Sequence, residues 1–249
     1  MKVRLDKLLQ DRGLAASRQR AQALILAGKV LVDGQKIEKS GTPVDAQSQL
    51  RLLGEDLKYV SRGGLKLERA LERWQINVEG KTCLDVGAST GGFTDCLLQQ
   101  GARRVIAIDT GRGQIDFRLR QDPRVRLLEK TNARYLTSEQ VGEVIDLVVV
   151  DVSFISATLV LPAVIAAAFP ESVEARRGRQ IVVLVKPQFE AGREHVGKGG
   201  IVRDEQARKN AVERVREALH NANCVQTDVI DSPILGAEGN REFLLYGLF

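Results

Sequence analysis

The chain has 249 residues, enough for one large domain and a small one, with 43% hydrophobic residues and a formal charge of +5. No apolar run reaches the roughly 20 residues that a membrane helix needs; Leu159 to Phe169 is too short and contains Pro162, and no basic-then-apolar leader precedes Leu5, so a cytoplasmic protein without stable membrane association is expected. Three cysteines in apolar runs and two widely separated histidines argue against a disulfide framework and against a metal site.

The positive charge is concentrated at the start, where residues 1–40 hold nine Lys and Arg against four Asp and Glu. Leu5, Leu8 and Leu9 recur at helical spacing up to Gly13, and Ser17 reads as the N-cap of a second helix that ends before Gly28. Lys29 to Val32, the turn Asp33-Gly34, and Gln35 to Ile37 spell a hairpin, since Asp-Gly supplies the positive φ of a tight turn. Pro43-Val44 and Leu50 to Leu53 add short strands. The segments Arg4-Leu5-Asp6-Lys7-Leu8-Leu9, Ser17-Arg18-x-x-Ala21 and Gly28 to Gly34 resemble the S4 RNA-binding domain. That resemblance implies a small α+β unit over residues 1–57 whose Arg4, Lys7, Arg18, Arg20 and Lys29 contact RNA phosphates.

Glu55 to Tyr59 reads as a charged linker, and the second domain is expected over residues 58–249. Ser61 or Gly63 is expected to cap a helix whose apolar face is Leu67, Ala70 and Leu71, with Lys66 in its first turn, a place the helix dipole disfavours for a cation. Thr82 to Val86 then runs through Asp85 into a turn of Gly87, Ser89, Gly91 and Gly92, and resumes as a helix at Phe93. Bare backbone at a helix start is a nucleotide cradle, but the G-x-G-x-x-G spacing of dinucleotide sites is absent. A carboxylate at Asp85 suits a cationic methionine moiety better than a pyrophosphate, and S-adenosylmethionine fits.

Arg104 to Ile108 forms the next strand and delivers Asp109 as the acceptor for a ribose diol. A helical segment near Ile115 to Leu119 and a strand Val125 to Leu128 follow, with Asn132 placed to meet an adenine edge. Val144 to Val150 is continuous and β-branched, as buried parallel strands are, and brings Asp151 to the same edge. A helix from Ser156 to Ala168, a strand Gln180 to Val185 ending in Lys186, and a polar, glycine-rich loop Gln188 to Arg203 come next. Gly192 to Lys198 imitates a P-loop but lacks both the Ser/Thr and the preceding strand. Asp204 caps a helix to Asn221, and strands Val225 to Asp231 and Glu242 to Leu248 close the chain as an antiparallel edge hairpin. Alternating strands and helices give a doubly wound α/β sheet whose ligands gather at the strand carboxyl ends.

Methyl transfer to oxygen needs a base or positive neighbour at the acceptor hydroxyl, and Lys66, Asp151, Lys186 and Glu242 are the ionisable candidates. Ser61 to Leu67, Val150 to Phe154, Val185 to Glu190 and Gly239 to Phe243 resemble the segments that carry the K-D-K-E tetrad of the FtsJ-like ribose 2′-O-methyltransferases. With the S4-like start, nearly the whole chain resembles the TlyA/hemolysin A family. The resemblance implies a class I, Rossmann-like methyltransferase that uses S-adenosylmethionine to methylate cytidine 2′-hydroxyls of ribosomal RNA, free or in ribosomal subunits. It also implies catalytic roles for those four residues and cofactor contacts from Asp85, Gly87, Ser89, Gly91, Gly92, Phe93, Asp109, Asn132 and Asp151. Asp151-Val152-Ser153-Phe154 replaces the Asp-Pro-Pro-aromatic signature of amine methylation, and no Pro-Cys nucleophile for pyrimidine carbon is present, which leaves a hydroxyl acceptor and RNA rather than DNA.

Overall fold

The computed structural model describes residues 2–15, 17–53, 58–169, 171–236 and 238–249, and the chain divides into two compact units, Met1–Leu57 and Lys58–Phe249. Most of the linker expected at Glu55 to Tyr59 lies outside the described residues. Tyr59 itself is no linker residue: its ring is buried where a Cβ on Gly64 would stand, and its hydroxyl donates to Glu68 at 2.9 Å.

In the first unit, β1 (Lys2–Arg4) leads into α1 (Leu5–Asp11) and α2 (Arg18–Leu26), then β2 (Val30–Val32), β3 (Gln35–Lys36), β4 (Pro43–Asp45) and β5 (Leu50–Leu52). The Ser17 hydroxyl accepts from the Arg20 amide at 3.1 Å and starts α2. Asp33 and Gly34 both take positive φ in the turn between β2 and β3. Leu5, Leu9, Ile25 and Val30 meet in one small core. The strand β1, paired antiparallel with β4, is too short to leave a periodic signal and was not expected.

The second unit runs α3 (Gly63–Arg73), β6 (Thr82–Val86), α4 (Gly92–Gln99), β7 (Arg104–Ile108), α5 (Phe117–Gln121), β8 (Val125–Leu128), α6 (Ser138–Val141), β9 (Leu147–Val150), α7 (Leu161–Ala168), α8 (Val173–Arg176), β10 (Gln180–Val185), α9 (Pro187–Glu190), α10 (Glu205–Asn221), β11 (Gln226–Asp231) and β12 (Phe243–Leu248). Among the described residues its strands form a seven-stranded sheet in the order β11-β12-β10-β9-β6-β7-β8. Pairing is parallel from β10 to β8, while β12 lies antiparallel between β10 and β11, giving the edge hairpin. Alternation along the strands sends Val148 and Val150 to a core with Leu161, Ile165 and Val215, and Leu147 and Val149 to a core with Leu67, Phe93 and Leu97. Helices therefore cover both faces, as parallel sheets require. None of the described helices is long and apolar enough to cross a membrane.

Several boundaries differ from the sequence reading for identifiable reasons. The strand expected from Val144 begins at Leu147, because Val144 is half exposed and Asp146 turns its carboxylate to the Thr82 amide at 2.9 Å. The helix expected from Ser156 is a 3-10 turn, Ala157–Leu159, followed by α7, whose first turn holds Pro162 where a missing N–H costs nothing. Neither Ser61 nor Gly63 caps α3; the N-cap is Arg62 and no side chain serves it. The loop expected after Lys186 opens with α9.

Candidate active site

The turn after β6 is shaped by what lies behind it. Gly87 has φ +89°, and a Cβ there would collide with the backbone carbonyl of Asp151. Ser89 also takes positive φ, at +48°, and its amide donates to Asp109 Oδ2 at 2.7 Å. The other oxygen of Asp109 accepts from the Gly111 amide at 2.6 Å, so this one carboxylate clasps the loops after β6 and β7 together. Beside it is a cavity of about 510 Å³, walled by Ser89, Asp109, Gly111, Asn132, Asp151 and Phe154. A smaller one of about 190 Å³ is walled by Ser61, Arg62, Lys66, Gly87, Asp151 and Leu235. Gly87, Ser89 and Asp151 border both, so the two cavities adjoin.

The larger cavity suits S-adenosylmethionine in size and in donor set. Gly87 borders it, and Asp109 faces it with a carboxylate fixed by two backbone amides. Asn132 also faces it, but its side-chain oxygen caps the turn at Ala133–Tyr135 by accepting from the Arg134 amide at 3.0 Å, leaving its NH2 for a ligand. Other residues expected at the cofactor are placed differently. Asp85 is not on either cavity wall; it has no accessible surface, takes the Thr94 hydroxyl on one oxygen at 2.6 Å, and has no partner for Oδ1 among the described residues. Burial pushes its carboxyl up to about 7. Gly91 borders neither cavity; with φ +96°, a side chain there would strike Leu119 and Ile115. Gly92 and Phe93 border the smaller cavity, and Gly92 is bare because Ser61 and the Gly64 amide press against it.

Lys66 and Glu242, 176 residues apart in sequence, form a buried pair at 2.5 Å. Lys66 comes from the first turn of α3 and Glu242 from the residue before β12. The ion pair accounts for a lysine at a helix start, because Glu242 supplies the charge that the helix dipole withholds. Lys186, at the end of β10, lies 2.5 Å from Asp151 Oδ1 in ion-pair contact; its aligned hydrogen bond goes to Ser153 Oγ at 2.7 Å. Both lysine side chains are only 11% exposed. Lys66 and Asp151 share the smaller cavity, so the two pairs meet around it.

Some residues at this edge fell within segments quoted for resemblance, but their geometry carried no signal in the sequence. Phe154 is 92% exposed at φ +65°, with the Phe189 ring 5.4 Å away. Arg62 donates to the Leu235 carbonyl at 3.0 Å across the smaller cavity. A positive φ in a bulky residue and a side chain reaching a backbone atom 173 positions away are tertiary facts with no local pattern.

In the first unit, Asp6 gathers cations. Arg4 approaches it with two nitrogens at 3.1 and 2.8 Å, Arg18 at 3.1 Å, and the Gln22 amide at 2.9 Å. Asp6 has no accessible surface yet lies shallow, covered by guanidinium groups that are about half exposed. These bonds, Arg4's first, hold its carboxyl well below the usual carboxylate range. Lys7 and Arg20 sit on α1 and α2, and Lys29 precedes β2; the Lys7 backbone amide donates to Asp6 Oδ1 at 2.9 Å, while among the described residues neither the Lys7 nor the Lys29 ammonium bonds to Asp6.

Family models match both parts of the chain: the FtsJ-like methyltransferase over residues 59–249 and the S4 domain over residues 3–50. The chain is 47% identical to the 16S/23S rRNA (cytidine-2′-O)-methyltransferase TlyA of Mycobacterium tuberculosis over 98% of its own length and 89% of that protein's. It is 40% identical to Hemolysin A of Brachyspira hyodysenteriae over 98% and 99% of the two chains. A solved structure from Streptococcus thermophilus, assigned as a hemolysin, superposes with a TM-score of 0.73 at 42% identity over 99% and 88% of the chains. Fibrillarin from Aeropyrum pernix shares the fold alone, with a TM-score of 0.53 at 16% identity over 88% and 94%. An S4 unit followed by an FtsJ-like, S-adenosylmethionine-dependent methyltransferase places this chain in the TlyA family.

Proposed function

We propose that the protein transfers the methyl group of S-adenosylmethionine to the 2′-hydroxyl of cytidine in ribosomal RNA. The observation that carries this reading is the meeting of Lys66–Glu242 and Lys186–Asp151 around one small cavity that adjoins the cofactor-sized one. Bound S-adenosylmethionine supplies an electrophilic sulfonium methyl. The O–C bond forms as the S–C bond breaks, S-adenosylhomocysteine is the leaving group and the hydroxyl proton passes to solvent; the chain's part is to hold the acceptor oxygen in line and to offset the negative charge that grows on it. Lys186, fixed by Asp151 and Ser153, is the cation nearest that charge in this reading, and Lys66, fixed by Glu242, adds a second at the cavity wall. Two near-buried cations disfavour a positively charged acceptor and favour an oxyanion.

The exposed face of Phe154, backed by Phe189, offers a stacking surface for the acceptor's base. Residues 1–57 serve as the RNA-holding unit, with Arg4 and Arg18 set by Asp6, and with Lys7, Arg20 and Lys29 as further phosphate contacts. Cytidine and ribosomal RNA come from the names of the relatives, and the 2′-hydroxyl from the resemblance of the four-residue set.

Incubation with radiolabelled S-adenosylmethionine, using ribosomal subunits beside naked rRNA, tests this. Label in RNA that blocks alkaline cleavage at one cytidine is expected, with about 10²- to 10⁴-fold less transfer by Lys186→Ala at unchanged cofactor affinity. Label on a base, or transfer undiminished in Lys186→Ala, overturns the reading.

A further inference from the structure

Glu190 closes α9, four residues after Lys186, and its side chain is buried, with 3% of the residue exposed. Oε1 accepts from the Ala157 amide at 2.7 Å and Oε2 from the Ser156 hydroxyl at 2.5 Å. Its backbone carbonyl accepts from Arg214 of α10. No lysine or arginine side chain is within ion-pair distance of this carboxylate among the described residues, and burial raises its pKa. Such a group is costly to keep, so its two acceptor bonds must be worth holding.

Those bonds join the two segments that carry the reacting-centre pair. One runs from Asp151 through Ser153 and Phe154 to Ser156 and Ala157 without regular structure until the 3-10 turn; the other runs from Lys186 through Phe189 to Glu190. They meet at Lys186–Asp151, Lys186–Ser153, Phe154–Phe189 and Glu190–Ser156/Ala157. Phe154 at φ +65° is a strained position that persists only when its surroundings over-determine it. The first three contacts are at the cavity edge, within reach of substrate. Glu190 is the buried end of the series.

We propose that Glu190 is a positioning residue for methyl transfer: by fixing Ser156 and Ala157 it holds the Asp151–Phe154 loop against Lys186. This rests on the assignment of Asp151 and Lys186 to the reacting centre. Glu190 touches neither cavity, so it acts through the loop.

The test uses the full chain with Glu190→Ala, Glu190→Gln and Ser156→Ala, and Val78→Ala as a buried core variant before the amino end of β6, away from the contacts described. Amide exchange over residues 152–158 is measured without ligand, and kcat and KM for RNA with cofactor in excess. Glu190→Ala is expected to speed exchange in that segment and to lower kcat about 10- to 100-fold, with KM changed less than about twofold. Glu190→Gln restores most of kcat, since its oxygen still accepts from Ala157 and its amide can donate to Ser156. Wild-type exchange or wild-type kcat in Glu190→Ala overturns the proposal, as does an equal loss of kcat in Val78→Ala. If Glu190→Ala fails to fold, Ser156→Ala decides: faster exchange with a severalfold lower kcat supports the proposal, and wild-type values in both overturn it. A wild-type protein inactive on every RNA would sink the functional reading while the exchange data still judge the clasp.

Discussion

Asp6 in the RNA-holding unit and Asp85 in the methyltransferase unit both lack accessible surface, yet their surroundings drive them apart. Asp6 receives Arg4, Arg18 and Gln22, and its acidity is increased; Asp85 has one hydroxyl and an orphan oxygen, and its acidity falls until the group titrates near 7. The first is a shallow anchor that spreads two cations over a surface. The second is a deep acid with unused capacity in β6, two residues before the turn at Gly87. Lys66–Glu242 shows a third arrangement, an enclosed pair in which each charge depends on the other. What separates the three is the number of donors per buried oxygen, and burial alone predicts none of it.

The largest effect is expected where the enclosed pair is broken. Lys66→Met leaves Glu242 buried without its cation and should cost about 3–5 kcal/mol. Lys66→Met combined with Glu242→Leu should regain most of that stability in denaturant melts followed at Trp74, and no methyl transfer. Recovery of activity in the double variant would mean that the pair serves structure only.

A smaller effect follows from Asp85. Its folded-state pKa of about 7 lies above the unfolded value of about 3.9. The folded chain therefore holds more protons between those values, and this group's contribution to stability is greatest at low pH, falls as pH rises, and levels off above about 7. Without cofactor, the melting temperature of Asp85→Asn relative to wild type should rise between pH 5 and pH 8. A difference that stays flat with pH would show that Asp85 has found a second donor.

The smallest effect concerns Asp6. Its folded pKa is depressed, so its contribution is present above about 3.9 and is lost as pH falls through the folded value. At neutral pH, Asp6→Asn removes a charge that holds Arg4 and Arg18 in one geometry. Total RNA affinity should change little, because a negative charge is lost with the order it imposed. Preference for folded rRNA over an unstructured strand, measured by competition binding, should drop severalfold. An unchanged preference would confine Asp6 to stability.

Much of this molecule was legible in its residues. Strand periodicity located the parallel sheet, Asp-Gly fixed a hairpin, and Ser17 and Asp204 marked two helix starts that their side chains do cap. The four-residue set came from resemblance, because nothing local links Lys66 to Glu242 across 176 positions. Spacing put Asp85 and Gly91 beside the cofactor, whereas neither borders a cavity, for one reason: a short motif gives residue types but not which side of the turn faces core. Gly91 is bare for Leu119 and Ile115, and Asp85 points into packed protein. Phe154, Ser153 and Glu190 stood in segments read for resemblance but were given no role of their own, because a loop without periodicity shows its order only through partners from another strand's end.

Gly87 sets a limit on how such an enzyme can be re-engineered or can diverge. Its α-carbon is packed against the backbone of Asp151, so the loop after β6 and the loop after β9 are built to one shared tolerance. Grafting a new acceptor loop onto this sheet, whether in the laboratory or by recombination, moves the wall against which the cofactor turn is moulded. A change of course in one loop therefore demands a matching change in the other, and segments that do not touch Gly87 are the ones that can be altered singly.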